Sequence, residues 1–364
     1  MNNYFIGIMS GTSCDGIDIT MCKINDKKID FIDGNFAPFS DKMRNNLLKL
    51  SNSIDDNIEM LIKSDESLAD FIVKKINKIL LENKILPCEI TAIGSHGHTV
   101  RHINSDDINY SLQISNHAKI AKQTGIDVVC DFRRGDIACG GTGAPLVPVF
   151  HQAIAQSYEP TVVVNIGGIA NITILPAIDD NNSDIIGFDT GVGGALIDVW
   201  SELHLKSRFD DKGSFARSGN CDYELLKSML SDDYFKIKPP KSTGRELFNL
   251  RWLQKKIAKQ KPCDVACTLC NFTATSIIDD IKKYASNTKK IIICGGGLKN
   301  DYLMELLSSL AQPTPVLSIN DIGYKSDYVE AMAFAYLAYL HINKKPANIT
   351  TGGTKTTLGA LYPK

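Results

Sequence analysis

The chain has no excess charge of one sign, no long apolar run and no Walker loop, and each absence excludes a class of function. Lysine and arginine number 40 against 41 aspartate and glutamate, a formal net charge of −1. With no basic surplus to neutralise a phosphate backbone or an anionic bilayer, neither nucleic acid nor a membrane surface is an expected partner. No apolar stretch approaches the roughly 20 residues that span a bilayer. The opening Met-Asn-Asn-Tyr carries no basic region and Gly7 interrupts Ile6–Met9, so no export signal is expected there. Ten cysteines in such a chain read as the reduced thiols of a cytoplasmic protein, not as a disulfide framework. Gly-x-x-x-x-Gly-Lys-Ser/Thr occurs nowhere. What is present is ordinary globular material, 43% hydrophobic and 22% charged. At 364 residues the chain is too long for one core, so two domains are expected.

The pattern of residues predicts strands at 4–8, 17–24 and 28–36, then helices near 41–50 and 54–83. Strands at 90–95 and 110–114, a helix at 116–124 and a strand at 126–130 follow. Then the order restarts: strands at 162–166, 169–175 and 184–188, helices near 194–205, 244–260 and 263–284, a strand at 290–294, and a helix from about 300. A repeated order of elements without repeated sequence is what a duplicated α/β domain leaves behind. The expected division is 1–150 and 151–344, with 345–364 packing back on the first domain.

Two clusters suggest metals, and both have a plainer reading. Cys263, Cys267 and Cys270 have spacings seen in iron–sulfur ligation, but Pro262 fits a helix start and the following residues have helical patterning. On a continuous helix the three sulfurs share a face and behave as small hydrophobes. His96, His98 and His102 would face one way only if a strand ran on through Arg101, and no acidic or cysteine fourth ligand is near, so they read as polar pocket wall or substrate contacts.

The segment Phe5–Asp18 carries the strongest signal for chemistry. Two apolar runs flank Ser10-Gly11-Thr12-Ser13-Cys14-Asp15-Gly16, and Asp15-Gly16 favours a tight hairpin turn. Small residues and hydroxyls at such a turn offer donors to a phosphate, and Asp15 or Asp18 is placed to hold an accompanying Mg²⁺ through water. Four further glycine-rich segments follow predicted strands, where open α/β sheets bind ligands. They are Gly94–His102, Asp131–Pro145, Gly187–Gly194 with the single acid Asp189, and Cys294–Gly297. Together they resemble the parts of a phosphoryl-transfer site: two phosphate hairpins (Gly11–Gly16 and Asn165–Asn171), a base, a sugar pocket and an adenine shelf.

The strings Gly7–Asp18, Gly94–His102, Asp131–Arg133, Gly143–Pro148 and Asn165–Thr173 together resemble the anhydro-N-acetylmuramic acid kinase family. So do Gly187–Gly191, Pro239–Glu246, Cys294–Gly297, Glu330–Ala335 and Leu358–Pro363, so the resemblance spans nearly the whole chain. It implies two ribonuclease H-like domains of the actin–hexokinase type with a cleft between them, a cytoplasmic setting, and a possible homodimer. The implied reaction takes ATP, Mg²⁺ and an amino-sugar substrate: Asp189 deprotonates a water that opens the 1,6-anhydro bridge, and the freed O6 takes the γ-phosphate. Gly11, Thr12, Ser13, Cys14, Asp15, Gly16, Ile17 and Asp18 would hold phosphates and metal, with Asn165, Gly167 and Gly168 as the second hairpin and Gly295, Gly296 and Gly297 against adenosine. Thr99, Arg101 and Arg133 are the candidates for the sugar and its lactyl carboxylate.

The sequence departs from the family pattern at His98, at Ser115-Asn116-His117, at Thr142 and at Val192-Gly193-Gly194. The last change is expected to loosen the turn that aims Asp189. Two alternatives follow: a kinase of the same fold acting on another sugar, and a regulator that binds ATP without turning it over.

Overall fold

The computed structural model describes residues 3–364 apart from 12–13, 53, 55–56, 106, 181, 245–246 and 348–349. The chain forms two compact units, Met1–Ile154 with Tyr328–Lys364, and Ala155–Asp327. The first opens with an antiparallel meander, β1 (Tyr4–Ser10), β2 (Gly16–Ile24) and β3 (Ile29–Pro38). Helices α1 (Asp41–Ser51) and α2 (Ile58–Glu82) follow. β4 (Ile90–Asn104) then returns parallel to β1, with β5 (Asn109–Ile114) paired antiparallel to its far half. After α3 (His117–Thr124), β6 (Val128–Cys130) lies parallel to β4, and α4 (Phe132–Ala138) and α5 (Pro148–Ala155) complete this stretch. The α2 start is set by Asn57, whose side chain accepts the Met60 N–H at 2.9 Å. Leu68, Ile72, Ile76, Ile79 and Leu80 then recur on one buried stripe facing Ile6, Ile8, Ile17, Ile19 and Ile93 of the sheet.

The second unit repeats the plan. β7 (Thr161–Ile166), β8 (Ile169–Leu175) and β9 (Ile186–Val192) form a meander. The helices α6 (Ala195–Leu205), α7 (Ser214–Arg217), α8 (Tyr223–Leu230), α9 (Leu250–Gln254) and α10 (Pro262–Tyr284) come next. β10 (Lys290–Cys294) then runs parallel to β7, and after α11 (Asp301–Leu310), β11 (Val316–Ser318) runs parallel to β10. The sheet orders are β3-β2-β1-β4-β6 and β9-β8-β7-β10-β11. Position for position, the antiparallel and parallel pairings agree. That shared 3-2-1-4-5 order is the mark of a duplicated ribonuclease H-like domain, and the fold is α/β. In this unit Ile277, Ile278, Ile281, Leu303 and Leu307 pack against Val162, Val164, Ile166, Ile172 and Phe188.

The chain then returns to the first unit as α12 (Val329–Ile342) and β12 (Ala360–Tyr362), the latter antiparallel to β6. Residues 328–344 therefore lie with the first unit, not with the second as the expected division had it. α12 is buried nearly all round, and its backbone lies directly on the sheet. A Cβ on Gly7 would fall 1.8 Å from the Ala331 carbonyl oxygen, and one on Gly94 1.9 Å from that of Phe334. Gly7 and Gly94 are register partners on β1 and β4, so the two glycines form one seat for the helix.

Three elements differ from the sequence reading. β4 runs on to Asn104 through the polar Ser95–His102, held by β1 on one side and β5 on the other. β9 extends to Val192, so Asp189 lies in a strand and not in a turn. The helix expected at 244–260 is only Leu250–Gln254, begun by the Asn249 side chain accepting from Trp252 N–H at 3.1 Å. Cys263, Cys267 and Cys270 lie on the continuous helix α10; the Cys267 sulfur is 3.2 Å from the Tyr302 hydroxyl and Asn300 donates to Cys270. Among the described residues no helix is long and apolar enough to cross a membrane.

Candidate active site

In the first unit the candidate residues gather at the β1–β2 turn. Gly11 and Cys14 close it, with the Cys14 N–H donating to the Gly11 carbonyl at 3.2 Å and Cys14 in the left-handed region at φ 53°. Thr12 and Ser13 lie outside the described residues. Gly16 is not a turn residue: it opens β2 beside β3, where a Cβ would meet the Ala37 carbonyl oxygen at 2.4 Å. Ile17 is a core residue, leaving only its backbone for a ligand. Asp15 is exposed and Asp18 half-buried. Among the described residues no group of three His, Cys, Asp or Glu side chains is placed to hold a metal by itself. One or two carboxylates beside a phosphate site do suit Mg²⁺, a hard cation that keeps several waters and draws its remaining ligands from phosphate.

His98 lies beneath this turn. Its Nδ1 is 3.0 Å from Ser10 Oγ, and its Nε2 is 3.4 Å from Cys14 Sγ and 3.2 Å from Ser51 Oγ at the end of α1. Burial holds its pKa down to about 4, so the ring is neutral and has one donor and one acceptor to share among these groups. The positive φ of 74° at Gly97 breaks the strand alternation, so His96 reaches other neighbours. Its Nδ1 is 2.9 Å from the Gly97 carbonyl oxygen and its Nε2 accepts from Arg133 Nε at 2.8 Å. Burial, and then the Arg133 cation, keep His96 neutral. His102 is exposed.

Arg133 also donates from Nη1 to the Gly143 carbonyl at 2.8 Å. Burial lowers its pKa to about 10, against the opposing pull of the Glu330 and Asp136 carboxylates, so it stays charged. Two of its nitrogens are thus fixed by protein. Arg101 Nη1 donates to the carbonyls of Leu50 and, at 2.7 Å, of Val100, which ties it to the C-terminus of α1. Thr99 Oγ1 accepts from Gln113 Nε2 at 3.1 Å. Of the three sugar candidates, Arg133 sits with the glycine loop at Gly143 and Arg101 and Thr99 with β4 and its neighbours.

In the second unit the sheet lines up Cys294, Asn165, Asn171 and Asp189 on neighbouring strands. Cross-strand partners share a face, so the two amides and the carboxylate form one polar row. Gly295 follows at φ 86°, where a Cβ would meet Asn165 Oδ1 at 2.4 Å; at Gly297 a Cβ would meet the Ile166 side chain at 2.5 Å. Gly296, between them, is exposed with nothing within 4 Å of its Cβ position. The Gly167 and Gly168 carbonyls are not idle. They accept from the N–H groups of Gly194 (2.8 Å), Gly193 (2.9 Å) and Ala195 (3.1 Å), while Thr273 Oγ1 donates to the Gly193 carbonyl at 2.9 Å. Three of these four bonds fall on Gly193 and Gly194 themselves, so the loosening expected there is offset.

Asp189 is half-buried and gripped by its surroundings. Its N–H donates to the Lys241 carbonyl at 3.1 Å, its carbonyl accepts from the Tyr234 hydroxyl at 2.6 Å, and its Oδ2 accepts from the Thr243 N–H at 3.0 Å. Burial, reinforced by the Asp189 and Asp280 carboxylates, raises the Tyr234 pKa, so its hydroxyl stays a donor. Sequence reasoning missed Tyr234, Lys241 and Thr243 as contributors to the site. The last two stood inside Pro239–Glu246, which served only as a matching string; for Tyr234 the sequence holds no signal.

Comparison with known proteins points to one family. The anhydro-N-acetylmuramic acid kinase family model matches residues 3–364. The protein of that name from Pasteurella multocida (strain Pm70) is 41% identical over 370 residues, covering 99% of this chain and 97% of its own length. Its namesake in Shewanella denitrificans is 41% identical over 366 residues, covering 99% and 98%. The one in Haemophilus influenzae is 40% identical over 379 residues, covering 99% and 98%. A match of this length and level shows the family: the chain belongs to the anhydro-N-acetylmuramic acid kinases.

Proposed function

We propose that this chain is the ATP-dependent kinase that opens the 1,6-anhydro bridge of 1,6-anhydro-N-acetylmuramic acid and phosphorylates O6, a step of cell-wall recycling. The observation that carries the reading is the carboxylate of Asp189 at the edge of a polar row, its Oδ2 accepting from the Thr243 N–H and its backbone held by the Tyr234 hydroxyl and the Lys241 carbonyl. Asp189 takes a proton from water as that water bonds to C1. The C1–O6 bond breaks, O6 bonds to the γ-phosphorus of ATP, and the bond from that phosphorus to ADP breaks. The products are N-acetylmuramate 6-phosphate and ADP.

The protein's part in such a transfer is placement and charge. Gly11–Asp18 supplies backbone donors for phosphate oxygens, with Asp15 and Asp18 holding Mg²⁺ through water. When bound, Mg²⁺ neutralises charge that develops on the β- and γ-phosphate oxygens. Asn165, Gly167 and Gly168 form the second phosphate turn. Gly295–Gly297 takes adenosine, since the open side of Gly296 leaves room for a flat ligand against the backbone. Arg133 is the stronger candidate for the lactyl carboxylate: it is charged, its direction is fixed by His96 and Gly143, and a prepaid orientation costs a ligand less. Thr99 and Arg101 are assigned to the sugar hydroxyls.

Replacing Asp189 by Asn tests the base. Turnover is expected to fall by about 10²- to 10⁴-fold while ATP affinity by calorimetry is kept. An unchanged rate would remove Asp189 from the reaction, and the assignment with it.

A further inference from the structure

We infer that Lys241 is a positioning residue for Asp189, acting through a buried ion pair with Asp280 that pins the strap 239–244 against the end of β9. This rests on the reading of Asp189 as the base. The strap has no helix or strand of its own. Yet it supplies the carbonyl that takes the Asp189 N–H, from Lys241, and the N–H that reaches the Asp189 carboxylate, from Thr243. A segment with no ladder to hold it can aim such groups only if something else anchors it.

The anchor is the Lys241 side chain. Its Nζ is 2.9 Å from Asp280 Oδ2 on α10, with side-chain exposures of 1% and 9%. It also lies 5.0 Å from the Tyr234 ring centre and 5.6 Å from that of Phe188. Tyr234 is the residue whose hydroxyl holds the Asp189 carbonyl, and Phe188 precedes Asp189 in β9. One ammonium therefore joins α10, the strap, and both elements that carry or hold the base. A buried charge stays where its partner is, because separating the two strands each ion in low dielectric. Desolvating both ions offsets most of their attraction, so the pair adds little net stability, but it fixes position, which is what a general base needs.

The test compares Lys241→Met, Lys241→Arg and Asp280→Asn with the wild type by two independent readouts. Amide hydrogen exchange of 241–244 is expected to speed up by about tenfold or more in Lys241→Met and in Asp280→Asn, and by less in Lys241→Arg. In steady-state turnover, kcat is expected to drop on the order of 10- to 100-fold with KM for Mg-ATP held within about twofold. Because Lys241 acts through Asp189, adding Lys241→Met to Asp189→Asn should cost little further. Unchanged exchange in both Lys241→Met and Asp280→Asn overturns the anchor. Faster exchange with unchanged kcat overturns the positioning role. If Lys241→Met fails to fold, Asp280→Asn and Lys241→Arg carry both readouts. A wild type inert toward the anhydro sugar would refute the proposed function, while the exchange result would still decide the anchor.

Discussion

Gly7→Ala perturbs the seat of α12 by the smallest possible amount, one methyl group. That methyl would fall 1.8 Å from the Ala331 carbonyl oxygen and 2.8 Å from Ala335 N, both backbone atoms that no rotamer change can move. Reaching ordinary contact near 3.4 Å requires the helix to lift by about 1.6 Å at that point. The lift would disturb the Phe334 contacts with His96 (4.7 Å between ring centres) and Phe132 (5.6 Å). Overpacking of a filled core costs about 1–3 kcal/mol, and the rigidity of both partners here puts the expected cost at the upper end. With a urea m-value of about 2 kcal/mol per M, that is a midpoint lowered by roughly 1 M or more, read by circular dichroism. Gly94→Ala, one strand away, should behave alike, and Gly296→Ala, with nothing within 4 Å, is the control. A Gly7→Ala midpoint equal to that of the control would show that α12 does not lie on the sheet as described.

His98 carries the remaining predictions. His98→Gln, which keeps a donor and an acceptor, should keep KM for Mg-ATP near the wild-type value; His98→Ala, which removes the contacts with Ser10, Cys14 and Ser51, should raise it. Acid should also destabilise the fold through its buried neutral histidines. Burial lowers His98 and His117 to about 4 and His151 to about 3, so between pH 6.5 and those values the unfolded chain binds more protons than the folded one. Stability is then full above about pH 6.5 and falls with pH by about 1.4 kcal/mol per unit for each such histidine. Urea midpoints from pH 7 to 5 should fall less steeply in His98→Gln, and equal slopes would refute the assignment of His98 to that loss.

Much of the plan was legible because periodicity survives wherever one face meets a core. The β1–β2 hairpin, the stripe of α2, and α10 with its cysteines lie near their expected bounds. Where both faces are buried the signal fades. α12 is apolar all round, so nothing in it points to the sheet it covers, and Glu330–Ala335 was only a matching string. The polar run Ser95–His102 hides the second half of β4, because pairing, with β1 as far as His98 and with β5 from there on, makes it a strand where side-chain alternation does not. Gly7 and Gly94 appeared as members of functional motifs, and the structure gives both to helix packing. The grip on Asp189 was illegible for another reason: Tyr234, Lys241 and Thr243 lie 45 to 54 residues away, and no local pattern encodes a contact of that range. His98 was visible as a departure from the family pattern, but its ties to Ser10, Cys14 and Ser51 appear only once β4 is set beside β1.

The most direct test of the proposed function is ADP release from Mg-ATP with 1,6-anhydro-N-acetylmuramic acid, run beside glucose, N-acetylglucosamine and no sugar. The account predicts turnover with the anhydro sugar alone. Turnover with another sugar, or ATP binding with no turnover on any, would contradict it.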